Sequence, residues 1–380
     1  MLMSVLKLIA VLGSLGACGY YLLCIYAIRR FARGLSNSYP PAFTPPLSIL
    51  KPLCGADPHA YESLRSHCEQ DYPEFEIIFG VSDPKDIAVT LVRRLIAEFP
   101  HRSIHLVVCP ETFGSNFKIS NLIQMIPHAR YAHVLVNDSD ISVSPLYLRR
   151  VMAKFQDRRV GLVTCLYRGI EGRTLGSRLE ALGINSDFIP GVLAASLLEG
   201  GTHFGLGSTL AFQRKALDAI GGFEAVADYL GDDYELGKRV SAAGFRVEIA
   251  PSVVAHYIPD YSFRDFLRHQ IRWARTVHDS RPGGFAGLIF TFGFFWAIVA
   301  VVAMQGSVWA WVLFLVTVGL RVTLAFRAGA MLSGRQVRGS SWLLPIRDLI
   351  FVGIWAASYS GHRIVWRGNQ FTLENGKLRP

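Results

Sequence analysis

The stretch Tyr131-Ala132-His133-Val134-Leu135-Val136-Asn137-Asp138-Ser139-Asp140-Ile141 decides the fold. Its apolar run through Val136 reads as a buried strand, and that strand ends in two carboxylates one residue apart. A carboxylate just past the C-terminal end of a strand lies in the crevice where open α/β sheets bind ligands. Asp138 and Asp140 are therefore candidate ligands for Mg²⁺ or Mn²⁺, which take carboxylate, water and phosphate oxygens. A plainer reading makes them caps for a helix that begins near Pro145. Their surroundings decide.

Upstream, short β-rich runs alternate with helical segments, as in a Rossmann-like α/β unit. Ser48–Leu53, Phe75–Val81 and Ile104–Val108 read as strands, and Pro58–Glu69, Asp86–Phe99 and Phe117–Met125 as helices. The second strand runs into Asp83, so a parallel sheet brings Asp83 and Asp138 to one edge. Downstream come a helix over Pro145–Phe155, a strand over Gly161–Leu166 and helical, partly apolar residues 171–200. The glycine-rich loop Gly200–Ser208 follows, then a helix over Ala211–Ile220. The loop has no lysine placed as in a P-loop, which argues against an ATPase. Its glycines permit either a tight hairpin or close backbone approach to a ligand. Asp232-Asp233 opens a further helix through Val240. One acid suffices as a cap, which leaves the other able to act as a general base.

The composition is 51% hydrophobic and 18% charged, too apolar for an ordinary soluble enzyme. A formal net charge of +10 suits nucleic acid or an anionic membrane surface. The basic residues cluster beside apolar segments and no nucleic-acid-binding module is present, so the membrane is the partner and nucleic acid is not. The six cysteines make no CxxC pair and no zinc spacing, as in a protein whose soluble part faces a reducing cytosol.

Leu8–Ile28 carries no charge and is followed by Arg29, Arg30 and Arg33, the pattern of a retained anchor with the next segment cytoplasmic. Ser262–His278 is basic and aromatic, with Phe263, Phe266, Leu267 and Ile271 spaced for one face of an interfacial helix. In it, Arg272 and Trp273 are candidates for a phosphate clamp and an acceptor platform. Gly283–Leu320 reads as a transmembrane hairpin turning at Gln305-Gly306, with Arg321, Arg327, Arg335 and Arg338 following on the cytoplasmic side. Trp342–Ser360 is apolar but contains Arg347-Asp348, and reads as a re-entrant or spanning element. Arg363, Arg367, Lys377 and Arg379 then keep the tail inside. The resulting division is an anchor (1–30), a linker (31–46), a catalytic domain (47–260), an interfacial helix (261–282), a membrane hairpin (283–325) and a basic C-terminal region (326–380).

The ordered set Asp83, Asp138-x-Asp140, Asp232-Asp233 and Arg272-Trp273 resembles the GT-A glycosyltransferases, and specifically the ceramide glucosyltransferase family, glycosyltransferase family 21. That family's pattern is D, D, D and (Q/R)xxRW. Ser48–Leu53, Asn116-Phe117-Lys118 and Trp366-Arg367-Gly368 also look similar, and the resemblance covers nearly the whole chain. One position departs, since His269 stands where the motif has Gln or Arg.

The resemblance implies an α/β GT-A (Rossmann-like) catalytic domain with α-helical transmembrane segments at both ends. It implies that Asp83 holds the uridine, and that Asp138 and Asp140 bind Mg²⁺ or Mn²⁺ with the UDP diphosphate. Asn116 and Lys118 would assist at the nucleotide. Asp233, or Asp232, would take the acceptor's proton, with His269, Arg272 and Trp273 at the substrate. The implied reaction is inverting transfer of glucose or N-acetylglucosamine from UDP-glucose or UDP-N-acetylglucosamine to a membrane-lipid hydroxyl. The acceptor would be ceramide or a hopanoid polyol such as bacteriohopanetetrol, and the product a β-glycolipid. The implied setting is multi-pass in the inner cell membrane, with the catalytic domain cytoplasmic. Two other readings stay open: a non-catalytic nucleotide- or partner-binding module, and a relative of the polysaccharide synthases, which carry more membrane spans.

Overall fold

The computed structural model describes residues 2–36, 42–57, 59–332, 339–366 and 369–379. Residues 37–41 of the expected linker, together with Arg335, Arg338, Arg367 and Gly368, lie outside the described residues. The chain divides into two compact units. One comprises Gly34–Arg168, Leu198–Pro259 and Gly376–Pro380; the other comprises Met1–Arg33, Gly169–Leu197 and Asp260–Asn375.

The first unit is built on an eight-stranded mixed sheet. Its strands are β1 (Leu47–Leu53), β2 (Phe75–Val81), β3 (Ser103–Val108), β4 (His133–Val136), β5 (Ile141–Ser142), β6 (Val160–Ile170), β7 (Leu210–Gln213) and β8 (Arg246–Tyr257). Their order is β3-β2-β1-β4-β7-β6-β8-β5. β1 pairs in parallel with both β2 and β4, with Leu53 opposite Val81 and Leu50 opposite Val136. The C-terminal ends of β2 and β4 thus reach the same edge, as the sequence predicts for Asp83 and Asp138. β1 and β2 are buried at every position, which explains their nearly unbroken apolar runs. Helices α2 (Ala60–Cys68), α3 (Ala88–Glu98) and α4 (Phe117–Met125) fall where helical periodicity placed them. α4 presses Ile119, Leu122 and Met125 into a core with Leu50, Ile78, Val134 and Phe212.

Two differences from the sequence reading matter. Residues 210–213 form a strand antiparallel to both β4 and β6, where a helix over 211–220 was expected; only Arg214–Ala219 (α8) is helical. All four strand residues are buried between two neighbours, so sheet pairing overrides local pattern. β8 was not anticipated, because Pro251 sits in the middle of it and proline argues against a strand.

The second unit gathers the apolar helices. α1 spans Leu2–Ser36. α6 (Leu175–Gly183) continues through a π-helical turn, Ile184–Phe188, into α7 (Ile189–Leu198). Among the described residues four helical stretches are long and apolar enough to cross a membrane: Met3–Leu35, Leu175–Leu198, Val308–Met331 and Ser341–Ser358. A further pair, Pro282–Thr291 and Gly293–Ala303, is bent by 53°. The first arm of the expected hairpin is therefore broken, while its turn falls at Gln305-Gly306 as expected, both with positive φ. The second arm runs on to Met331 and carries Arg321 inside it, buried against Asp348 at 2.8 Å. Arg321 is thus an ion-pair partner within an apolar helix and not a cytoplasmic flank. Arg347 reaches Asp187 of the π-helical turn at 2.8 Å.

Candidate active site

The turn after β4 carries Asn137, Asp138 and Asp140, and neither carboxylate caps the next helix. That helix, Tyr147–Met152, has Leu146 at its N-cap with no side-chain cap. Asp138 Oδ1 pairs with Lys118 Nζ at 2.8 Å, and Lys118 Nζ stands 3.2 Å from Asp232 Oδ2. Burial pushes the Lys118 ammonium down, but Asp138 and Asp232 outweigh it and hold the group above the usual lysine range. Asp232 is itself buried, and among the described residues its Oδ2 has that ion pair with Lys118 and no further hydrogen-bond partner.

Asp232 and Asp233 are the first residues of α9 (Asp232–Ala242), whose N-cap Gly231 offers no side chain, so neither acid occupies the cap position itself. Asp233 Oδ2 accepts the Gly207 N–H at 2.7 Å and its Oδ1 accepts the Tyr234 N–H at 2.8 Å. Burial, with Asp232 beside it, pushes the Asp233 carboxyl up to about 6. The glycine-rich loop is a tight turn, in which Leu206 and Thr209 bridge, and it also lies against the site. A Cβ on Gly207 would stand 3.1 Å from Asp138 Oδ2 and 3.3 Å from Asp233 Oδ2, so glycine lets the backbone sit between two carboxylates.

Asn116 serves the site indirectly. Its Oδ1 caps α4 through the Ile119 N–H, and its Nδ2 donates to the Tyr229 carbonyl at 2.8 Å. Those bonds place the helix that presents Lys118. Asp83 lies exposed at the same sheet edge, its Oδ1 accepting the Lys85 N–H.

Asp140 has a different partner from Asp138. Its Oδ2 lies 3.0 Å from His256 Nε2, a residue the sequence reading missed because it sits on the unanticipated β8. Burial raises the Asp140 carboxyl, but His256 outweighs it and holds the group below the usual range. Among the described residues no three His, Cys, Asp or Glu side chains converge as a ready metal cage. Asp140 with His256 offers an oxygen and a nitrogen donor side by side. That set fits an octahedral Mn²⁺ or Mg²⁺ that draws its other ligands from diphosphate and water.

Beneath the turn lies Lys51, fully buried, its Nζ donating to the Asp138 carbonyl at 3.0 Å. Burial pushes its ammonium down to about 7, against the pull of Asp140 and Asp138.

His269, Arg272 and Trp273 belong to the other unit, on α10 (Phe263–Ser280). His269 Nδ1 lies 3.1 Å from Oε2 of the buried Glu180. Its ring lies 5.1 Å from that of Trp273, which in turn lies 6.2 Å from Phe188.

A parallel-stranded Rossmann-like half, an Asp-x-Asp turn at the strand edge and a second acidic pair facing it define a GT-A glycosyltransferase fold. A mannosyltransferase from Pyrobaculum calidifontis, solved in complex with GDP-Man and Mn²⁺, shares it at a TM-score of 0.55 and 19% identity, over 93% of this chain and 97% of that one. The chain belongs to glycosyl transferase family 21, whose model matches residues 9–379. It is 26% identical to ceramide glucosyltransferase 3 of Caenorhabditis elegans over 72% of this chain and 60% of that protein. It is 27% identical to an N-acetylglucosaminyltransferase of Rhizobium meliloti over 61% of this chain and 56% of that one. The matched stretch thus spans about three fifths of these relatives' lengths.

Proposed function

We propose that this chain is a membrane-bound inverting glycosyltransferase that moves glucose or N-acetylglucosamine from a UDP-sugar to a hydroxyl of a membrane lipid. The observation that carries the reading is the meeting of Asp138, Lys118, Asp232 and Asp233 around Gly207 at the sheet edge where Asp83 also ends. A nucleotide-binding module needs Asp83, Asp138 and Lys118. It does not require a second acidic pair placed against Asp138 across Gly207.

In this mechanism Asp83 binds the uridine and Lys118 turns its ammonium to the diphosphate. Asp140 and His256, with Asp138 beside them, would hold Mn²⁺ or Mg²⁺, which supplies Lewis-acid stabilisation of the leaving UDP. Asp233 takes the proton from the acceptor hydroxyl, and a positioned base of this kind contributes about 10²–10⁴-fold to rate. The acceptor oxygen attacks the anomeric carbon opposite UDP, the sugar–phosphate bond breaks towards UDP, and the product is a β-glycoside. Arg272 and Trp273 serve as phosphate clamp and acceptor platform. The lipid is ceramide or a hopanoid polyol, in keeping with apolar helices long enough to place the protein in a bilayer. The catalytic unit faces the cytoplasm by the basic flank Arg29, Arg30 and Arg33.

The test is transfer in detergent, with UDP-glucose or UDP-N-acetylglucosamine, Mn²⁺ or Mg²⁺, and ceramide or bacteriohopanetetrol, with Asp233→Asn run beside the parent. Metal-dependent glycolipid formation that the variant loses supports the reading. UDP binding without transfer by the parent would leave a binding module.

A further inference from the structure

Behind the Asp138–Asp140 turn runs a chain of buried polar side chains that no step of the proposed transfer uses. Lys51 stands one residue beyond the last registered pair of β1 and β4, Leu50 and Val136, so it lies under the residues leaving β4. Its Nζ donates to the Asp138 carbonyl at 3.0 Å and stands 3.4 Å from His67 Nε2 on α2. His67 Nδ1 faces the Ser63 carbonyl at 2.9 Å, and Nε2 faces Asn137 Oδ1 at 3.1 Å. Asn137 Nδ2 donates to the Ser208 carbonyl at 2.6 Å, with Thr209 Oγ1 at 3.2 Å and Tyr147 Oη at 3.0 Å. One residue before Ser208, the Gly207 N–H holds Asp233. Lys51, His67, Asn137, Tyr147 and Thr209 are all fully buried.

Burying a lysine and a histidine together is costly, and an apolar pair of similar volume would fill this space between β1 and α2 more cheaply. The polar groups accomplish two things an apolar pair cannot. The bond from Lys51 fixes the Asp138 peptide, and with it the directions in which Asp138 and Asp140 leave the turn. Asn137, next after β4, donates to the Ser208 carbonyl and so ties that turn to the loop that orients Asp233. With Nδ1–H donating to the Ser63 carbonyl, His67 Nε2 accepts from Lys51 Nζ and holds that ammonium beneath the turn.

We infer that Lys51, oriented by His67 and working beside Asn137, is a positioning residue that holds the Asp138–Asp140 turn in fixed register with the Gly207–Asp233 loop. Donor diphosphate, divalent cation and base are thereby kept at one set separation. The inference rests on the proposed transfer reaction for its meaning, but its first readout does not depend on transfer.

The experiment uses the full chain in detergent, with Lys51→Met beside the parent. Binding of UDP is titrated against Mn²⁺ by calorimetry, melting is followed to show that the variant is folded, and donor and acceptor kinetics are measured. The expected result is a folded variant whose Mn²⁺ requirement for UDP binding rises about tenfold, in line with the loss of a partner behind a metal ligand. Donor kcat/KM falls by about 10–100-fold while acceptor KM stays within about twofold of the parent. Saturating Mn²⁺ recovers part of the lost rate. A purely structural lysine lowers the melting temperature and leaves the Mn²⁺ requirement where it was; that result overturns the inference. If Lys51→Met does not fold, His67→Gln is read in the same way, and an unchanged Mn²⁺ requirement in that folded variant also overturns it. A parent that binds UDP with Mn²⁺ but transfers to no acceptor defeats the transferase reading alone, since the binding arm still decides this one.

Discussion

The Gly207 amide donates to Asp233 Oδ2 at 2.7 Å, while the space a Cβ would take on Gly207 is bounded by Asp138 Oδ2 at 3.1 Å. One backbone position therefore spaces the candidate donor-binding acid from the candidate base. A methyl group here meets two carboxylates at once, and one of them must move by a few tenths of an ångström. Gly207→Ala is expected to fold with a small change in melting temperature and to lose about 10–100-fold in kcat, since displacements on this scale are costly in a catalytic geometry. Steady-state kinetics beside a melting curve check it. A fully active alanine variant would show that the loop is merely a turn.

As the base of the proposed transfer, the Asp233 carboxyl, pushed up to about 6 by burial and by Asp232, would set the acid limb of activity. A base works only when deprotonated, so acceptor kcat/KM falls about tenfold per unit as pH drops below about 6 and is flat above it. The same shift bears on stability with the opposite sense. A carboxyl whose folded value is raised binds its proton more tightly in the folded state, so the stability it contributes is lost as pH rises from about 4 through about 6. Asp233→Asn removes that liability. Its amide nitrogen also faces one of the two N–H groups that the carboxylate accepts, so the variant starts from a fixed deficit. Relative to the parent, its melting temperature is expected to rise by about 1–3 °C between pH 4 and pH 7.5. A calorimetric pH series measures it, and a difference that stays constant across that range would count against a raised carboxyl here.

The membrane helices carry their own electrostatic commitment. Arg321 Nε and Nη2 both donate to Asp348, at 2.8 and 2.9 Å, and Arg321 Nη1 donates to the Ser186 carbonyl at 3.0 Å. Arg347 Nη1 also stands 3.3 Å from Asp348 Oδ1, so removing Arg321 leaves Asp348 with the weaker of its two cations, at a cost towards the low end of the about 3–5 kcal/mol for a broken buried pair. Arg321→Met alone is expected to melt well below the parent in detergent. Arg321→Met with Asp348→Leu is expected to recover most of the loss. Equal melting of the single and double variants would show that the pair is not coupled.

The legible part of this protein is the part that local pattern determines. The unbroken apolar runs of β1 and β2 announced buried parallel strands, and the chemistry that follows β2 and β4 announced the edge they share. The Asp232-Asp233 pair was readable because two adjacent acids exceed what one helix end needs. The strand at Leu210–Gln213 was not readable, since no breaker separates Ala211-Phe212-Gln213 from the helix after it; its antiparallel partners Val134 and Val163 decide. Arg321 looked like a flank because it is the first charge after a long apolar stretch, and its partner lies 27 residues on. Long-range pairing of this kind leaves no mark on local spacing. His256 was hidden by the same kind of gap, because Pro251 disguised its strand.

His256 gives the sharpest test of the site. The register that pairs Ile141 with His256 places the imidazole beside the turn, and its Nε2 lies 3.0 Å from Asp140 Oδ2. If this pair holds the divalent cation of the proposed reaction, His256→Ala removes one donor and leaves the carboxylate. The Mn²⁺ requirement for UDP binding should then rise about 10–100-fold, a loss that a partner which only orients Asp140 would also cause, so the alanine variant alone does not divide the two roles. His256→Gln keeps a hydrogen-bonding side chain but offers only a weak ligand, so it separates the two roles. Near-parent Mn²⁺ dependence in His256→Gln assigns His256 to orientation of Asp140. A shift matching that of His256→Ala assigns it to the metal, and calorimetric titration of UDP against Mn²⁺ reads the difference without any acceptor lipid present.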